Sequence, residues 1–240
     1  MNWPALTRTL SRLQLADRPQ PVASRAARDE PCIALIYGFA SREHMQRHLL
    51  RFLRQSGFAD TTMYGHLQAQ RIADELQAAA AKGRRIAVIG FSQGGLEAVR
   101  VARELDRRGV RIDLLVTIAA GGRGGRFWPH RWHDDPRSIP ANVACCLNYF
   151  SLADQLGTDH PVAGNLAVGV GREQRVENIA FGRDDRVSHL AITRCFPAAK
   201  LRPRVRDDLL PRLLAELSAL RATVEKLCAE LGLSPPGQAQ

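Results

Sequence analysis

The sequence predicts an α/β fold: a mostly parallel sheet of about six strands covered by helices on both faces. Three observations carry that expectation. Short runs such as CIALIY and VACCLNYF are apolar throughout, as strands buried on both faces are. These runs alternate with segments whose apolar residues recur every three or four positions, the period of a helix. No Gly/Ser linker and no internal repeat divides the 240 residues, a length that fits one domain with a substantial core.

Cys32–Tyr37 is the first strand. Ser41 is placed to cap a helix whose apolar side holds Met45, Leu49, Phe52 and Leu53 and which ends at Gly57. A weaker strand is expected near Thr61–Tyr64. A helix over about His66–Ala81 turns Ile72, Leu76 and Ala80 inward, with Gly83 behind it. Ile86–Ile89 is a strand, and the next helix starts near Gln93 with Leu96, Val99 and Leu105 on its apolar side. Ile112–Ile118, Val143–Phe150 and Val176–Phe181 complete the strands. Ligands of such a sheet bind at the carboxyl ends of its strands.

Towards the C-terminus, Leu210, Leu213, Leu217, Leu220, Val224, Leu227 and Leu231 alternate spacings of three and four, a heptad seam. Trp3, Leu6, Leu10 and Leu13 repeat that spacing on a shorter scale. Three packings suit these helices: against each other, onto the body, or across a homodimer. Residues 1–30 are thus expected as an N-terminal helical extension, 31–204 as the core, 205–232 as an amphipathic helix, and 233–240 as a loose tail behind Gly232.

Composition narrows the function classes. No run of eighteen apolar residues exists, so no spanning helix is expected. The N-terminal stretch breaks its apolar residues with Arg8 and Arg12 and does not read as a secretory signal. The net charge of +10 is carried by arginine, since only Lys82, Lys200 and Lys226 are lysines, and it is spread along the chain. That spread favours arginine-rich composition over a dedicated basic patch, with an anionic membrane surface as the sharper alternative and no nucleic-acid signature. The five cysteines are odd in number and several lie in apolar runs, which points to a reducing, cytoplasmic setting rather than a disulfide framework.

The chemistry is sought at Gly90-Phe91-Ser92-Gln93-Gly94. The Gly-x-Ser-x-Gly pattern is weak alone, but here a strand precedes it and a helix follows it. A serine on such a turn needs tiny neighbours two positions away on each side, and Gly90 and Gly94 supply them. The following helix N-terminus brings N–H groups and a positive dipole end beside the hydroxyl. A nucleophilic serine needs a base, and the base needs an orienting acid. Asp154 lies just past VACCLNYF, with Asp159 as rival. His189 lies past the last strand in GRDDRVSHLAI, where Asp184 and Asp185 are expected on the surface. The loop after the first strand, Tyr37-Gly38-Phe39-Ala40, is placed to give a second oxyanion donor from Phe39 or Ala40, with Gly38 allowing the turn and the Gln93 N–H as the other donor.

Taken in order, IYGFA, GFSQGG, SLAD and RVSHLAI resemble the α/β-hydrolase superfamily, in its small lipase, esterase and thioesterase-like members, over about residues 31–200. The resemblance implies a minimal form of that fold without its two opening strands, no metal and no organic cofactor. It implies a Ser92, Asp154, His189 hydrolase that cleaves an ester or thioester of a small-molecule or lipid acyl substrate. Many relatives carry His-Gly in the oxyanion loop, where Tyr37 stands here. An acyltransferase with the same three residues, and a non-catalytic scaffold binding an anionic surface or a partner, are the alternatives.

Residues 121–140 follow a strand where such proteins carry substrate-contacting insertions. Phe127, Trp128 and Trp132 are placed either to line an acyl pocket or to pin the loop. His130, His133, Asp134 and Asp135 read as a solvated loop in preference to a metal site, and His44 and His48 as a surface pair.

Overall fold

A computed structural model describes residues 30–121, 135 and 137–230, with side chains as far as 221. The terminal segment with Trp3, Leu6, Leu10 and Leu13 lies outside the described residues, as do Phe127, Trp128, Trp132, His130, His133, Asp134 and the tail. The same holds for the side chains of Val224 and Leu227.

Six parallel strands form the main sheet in the order β2-β1-β3-β4-β6-β8. They are β1 (Cys32–Tyr37), β2 (Thr61–Gly65), β3 (Ile86–Phe91), β4 (Leu114–Ile118), β6 (Cys145–Ser151) and β8 (Arg175–Phe181). Two very short strands, β5 (Ser138–Ile139) and β7 (Val168–Gly169), pair with each other beside it. Helix α1 (Arg42–Met45) runs through a wide π-type turn at Gln46–Leu50 into α2 (Arg51–Gln55). The others are α3 (Ala69–Ala80), α4 (Gln93–Arg107) and α5 (Leu210–Glu230).

Alternation along β1 divides the core. Ile33, Leu35 and Tyr37 point to one face, where they meet Met45, Leu49, Leu53, Phe58 and the start of α5; Ala34 and Ile36 point to the other, under Ile72, Leu76, Val99 and Leu105 of α3 and α4. Burial on both faces explains the unbroken apolar runs. The edge strand β8 differs: only Phe181 is fully buried, because one side of it faces solvent. Leu210, Leu213 and Leu217 of α5 are buried in the first cluster and Leu220 packs against it, so this half of the heptad seam lies on the body.

A polar row crosses three strands at one register. Thr117 opposes Asn148, which opposes Asn178. The Thr117 hydroxyl donates to Asn148 Oδ1 at 2.8 Å, and Asn148 Nδ2 donates to Asn178 Oδ1 at 2.8 Å and to the Asn165 carbonyl at 2.6 Å. Asn178 then exchanges bonds with the backbone of Ala167, fixing the segment that leads into β7.

The chain goes from β1 outward to β2 and returns to β3 on the other side of β1. The carboxyl ends of β1 and β3 therefore flank the point where the strand order reverses, the usual ligand crevice of such sheets.

Candidate active site

Ser92 sits between β3 and α4 with φ 56° and ψ −127°, a backbone conformation few non-glycine residues adopt. Its N–H donates to the Ile118 carbonyl and its carbonyl accepts from Gly95, each at 2.8 Å, so the turn is held from both sides. The glycines are required by close approach. A Cβ on Gly90 would stand 2.2 Å from the Gly94 carbonyl oxygen.

Three side chains named from the sequence meet here. His189 Nε2 lies 3.0 Å from Ser92 Oγ, and His189 Nδ1 lies 2.7 Å from Asp154 Oδ2. The Phe91 ring packs against the imidazole with centroids 4.8 Å apart. Asp154 is buried, and its other oxygen, Oδ1, accepts from the N–H of Leu156 at 2.9 Å and of Gly157 at 3.0 Å. A carboxylate with one oxygen tied to backbone donors and the other on an imidazole N–H fixes both the orientation and the tautomer of that ring.

The rival acid is elsewhere. The Asp159 backbone exchanges bonds with Asn165, and its charge acts on Arg137. Asp185 accepts from the Gly182 N–H at 2.7 Å, and Asp184 is exposed. Gly157 was not singled out in the sequence. A Cβ there would stand 2.5 Å from Asp154 Oδ2, so only glycine lets the loop close over the carboxylate. The Asp-x-x-Gly spacing of an aspartate that caps its own loop is the signal that could have found it.

The loop after β1 packs directly on the serine. A Cβ on Gly38 would be 2.9 Å from Ser92 Cβ and 3.0 Å from Gln93 N. Phe39 is 71% exposed and Ala40 has φ 52°. Among the described residues, the N–H groups of Phe39, Ala40 and Gln93 have no hydrogen-bond acceptor. Ser41 corrects the sequence expectation: its hydroxyl does not cap the helix but donates to the Gly38 carbonyl at 3.0 Å, bracing this loop. Exposed apolar side chains, Phe39, Leu156 and Leu190, each lie within two residues of a member of the site or its loop. Trp128 lies outside the described residues. Among the described residues no cluster of His, Cys, Asp or Glu is suited to hold a metal ion, and no helix is long and apolar enough to cross a membrane.

His44 and His48 also depart from the surface-pair reading. Both are half-buried, and they hold the segment that follows His189.

No family model matches the chain. A UPF0502 protein of Albidiferax ferrireducens is 42% identical over 79 residues, 32% of this chain, so the chain matches about a third (33%) of that curated relative's length. Among solved structures, lipase B of Aspergillus fumigatus superposes with TM-score 0.55 at 13% identity, over 84% of this chain and 65% of that one. A protein of unknown function from Agrobacterium tumefaciens, assigned to the α/β hydrolases, gives 0.52 at 14% identity over 85% and 90%. An esterase of Pyrobaculum calidifontis gives 0.51 at 13% identity over 92% and 94%. At these identities the likeness is one of fold.

Proposed function

We propose that this chain, which has the α/β-hydrolase fold, is a serine hydrolase that cleaves a carboxylic ester or thioester through an acyl-enzyme on Ser92. The reading rests on one observation above all: hydroxyl, imidazole and buried carboxylate lie in a hydrogen-bonded line, 3.0 Å and 2.7 Å apart, at the carboxyl edge of the sheet. His189 Nε2 takes the hydroxyl proton as Ser92 Oγ attacks the acyl carbon. Asp154 holds the ring in the tautomer whose Nε2 accepts, and stabilises the imidazolium that forms. The oxyanion is received by the N–H of Gln93 and that of Phe39 or Ala40, donors without an acceptor among the described residues. His189 then protonates the leaving alcohol or thiol. A water molecule, deprotonated by the same ring, releases the acid and restores Ser92.

The exposed Phe39, Leu156 and Leu190 support an apolar acyl group, and the lipase and esterase likenesses support the reaction class. The setting we propose is cytoplasmic: Cys32, Cys145, Cys146 and Cys195 are free, and burial pushes the Cys195 thiol up to about 12, in its inert protonated form. The test is a fluorophosphonate probe together with p-nitrophenyl esters and acyl-CoAs of graded chain length. Wild-type protein should label and turn over at least one series, and Ser92→Ala should do neither. A wild-type protein that resists the probe and every substrate overturns the reading.

A further inference from the structure

The imidazole of His189 is carried by a loop, and a loop histidine needs support to stay within 3.0 Å of a hydroxyl. The segment behind it, Leu190–Phe196, contains only one short helical turn, Ala191–Thr193. Beyond its own turn and the bond from the Ile192 N–H to the Ser188 carbonyl at 3.2 Å, its polar ties among the described residues run to one place, the α1–α2 helix. His44 Nε2 lies 3.0 Å from the Thr193 hydroxyl, and the Leu190 backbone, one residue from His189, acts on the same ring in favour of its charged form. His48 Nδ1 accepts from the N–H of Phe196 at 3.3 Å and of Cys195 at 3.4 Å. The Arg51 guanidinium covers the Phe196 ring at 4.6 Å. The two histidine rings touch, with centroids 4.4 Å apart, where the helix widens into its π-type turn, a distortion that recurs at functional sites.

The same helix begins just beyond the Gly38–Ala40 loop, which Ser41 braces. It therefore joins the loop over Ser92 to the segment that carries His189. Ile192 and Cys195 bury this segment in the core, and Ala191 and Phe196 pack against it. Apolar contact is non-directional and sets the rotation of a short segment about its own axis less sharply than hydrogen bonds, and that rotation aims His189. Bonds to named backbone groups do set it.

We propose that His44 and His48 are positioning residues: as neutral rings they lock the Leu190–Phe196 segment in the orientation that keeps His189 between Ser92 and Asp154. The inference rests on the hydrolase reading, in which His189 is the base. His48 Nδ1 can accept two N–H groups only while it carries no proton. The surroundings keep both rings neutral. Burial acts first. Arg47, on the same helix, and Arg194, from the gripped segment, then disfavour a second cation at each ring, and the neighbouring His48 does the same at His44. Glu43 is turned to Arg47, and among the described residues no carboxylate is hydrogen-bonded to either ring.

The test uses the full chain, with His48→Leu to remove the acceptor, His48→Asn to put an uncharged acceptor oxygen where Nδ1 stood, and Thr193→Val to remove the His44 contact. The readouts are kcat and KM on the best ester, the rate of Ser92 labelling by a fluorophosphonate, and the ring proton and nitrogen chemical shifts of His189. His48→Leu should lose about tenfold or more in kcat and labelling rate with KM within about twofold, the signature of a misplaced reacting group. Its His189 shifts should move. His48→Asn should restore most of both, and should keep a larger share of its activity at mildly acid pH than the wild type does. If His48→Leu does not fold, Thr193→Val decides by the same readouts. Wild-type kcat and unmoved His189 shifts in these variants overturn the proposal. A wild type that never labels at Ser92 overturns the hydrolase reading instead, while the His189 shifts still decide whether His44 and His48 hold that ring.

Discussion

Gly94 lies against Ile36 so closely that a Cβ on residue 94 would stand 2.2 Å from the Ile36 carbonyl oxygen. The last turn of β1 and the first turn of α4 are thus in backbone contact beside the serine, and that contact brings the Gly38 loop over Ser92. Gly94→Ala must push the two apart. It should cost about 1–3 kcal/mol, the usual range for overpacking, and slow Ser92 labelling as well. Urea denaturation with a labelling assay measures both. A variant with wild-type values in each assay would show that the contact yields freely.

Asp154 and Asp159 are five positions apart in sequence, and only one faces the imidazole. Asp154→Asn should cut kcat on the order of 10,000-fold, because an amide at this place favours the wrong ring tautomer. Asp159→Asn should leave kcat within about threefold, since among the described residues no hydrogen bond joins its carboxylate to the imidazole, which is held by Asp154. Steady-state kinetics on the two variants distinguishes them, and the reverse ranking would move the acid to residue 159.

Gly157 closes over the Asp154 carboxylate, and a methyl group there meets Oδ2 at 2.5 Å and the Ala119 carbonyl oxygen at 2.8 Å. Gly157→Ala should lower kcat about tenfold or more through a displaced acid. A kcat equal to that of the wild type would mean that the loop relaxes without moving the acid.

Acid should weaken the fold through His44. Its pKa is held down to about 4 from an ordinary 6.5, burial being the main cause and the neighbouring His48 and Arg194 the next. Between those two values the unfolded chain binds a proton that the folded chain refuses, so the stabilisation present above pH 6.5 is lost progressively as pH falls towards 4. Thermal unfolding across this range should show that slope, and His44→Gln should flatten it. An identical slope in the variant would assign the loss to other groups.

Leu217 is fully buried where α5 meets the sheet. Leu217→Ala should destabilise by about 2–5 kcal/mol, as read by chemical denaturation. A loss under about 0.5 kcal/mol would mean that α5 is not part of the cooperative unit.

Much of this architecture was legible because burial on both faces writes itself as an unbroken apolar run. CIALIY was bounded to the residue, and IAVIG and VACCLNYF to within two at each end. The strands β5 and β7 were not legible, since Ser138–Ile139 and Val168–Gly169 are too short to carry any period. At the candidate site, Ser92 stood out by its glycines, and Asp154 and His189 by their places after strands, and the three side chains meet in the structure. What stayed hidden was the support around them. Ser41 fits the composition of a cap but serves Gly38, and His44 and His48 are partnered by residues about 150 positions away. No local spacing announces a bond that long in sequence.

The row formed by Thr117, Asn148 and Asn178 has a consequence for how such a chain can diverge. Replacing Asn148 alone by leucine would strand the buried Thr117 hydroxyl and the Asn165 carbonyl, at a cost of about 1–3 kcal/mol for each orphaned group. Exchanging the hydroxyl and both amides together would spare Thr117 but would still leave the Asn165 carbonyl and both backbone groups of Ala167 without their side-chain partners. The two asparagines are therefore held by main-chain groups that no substitution can delete, so descendants that keep the segment leading into β7 should keep both amides.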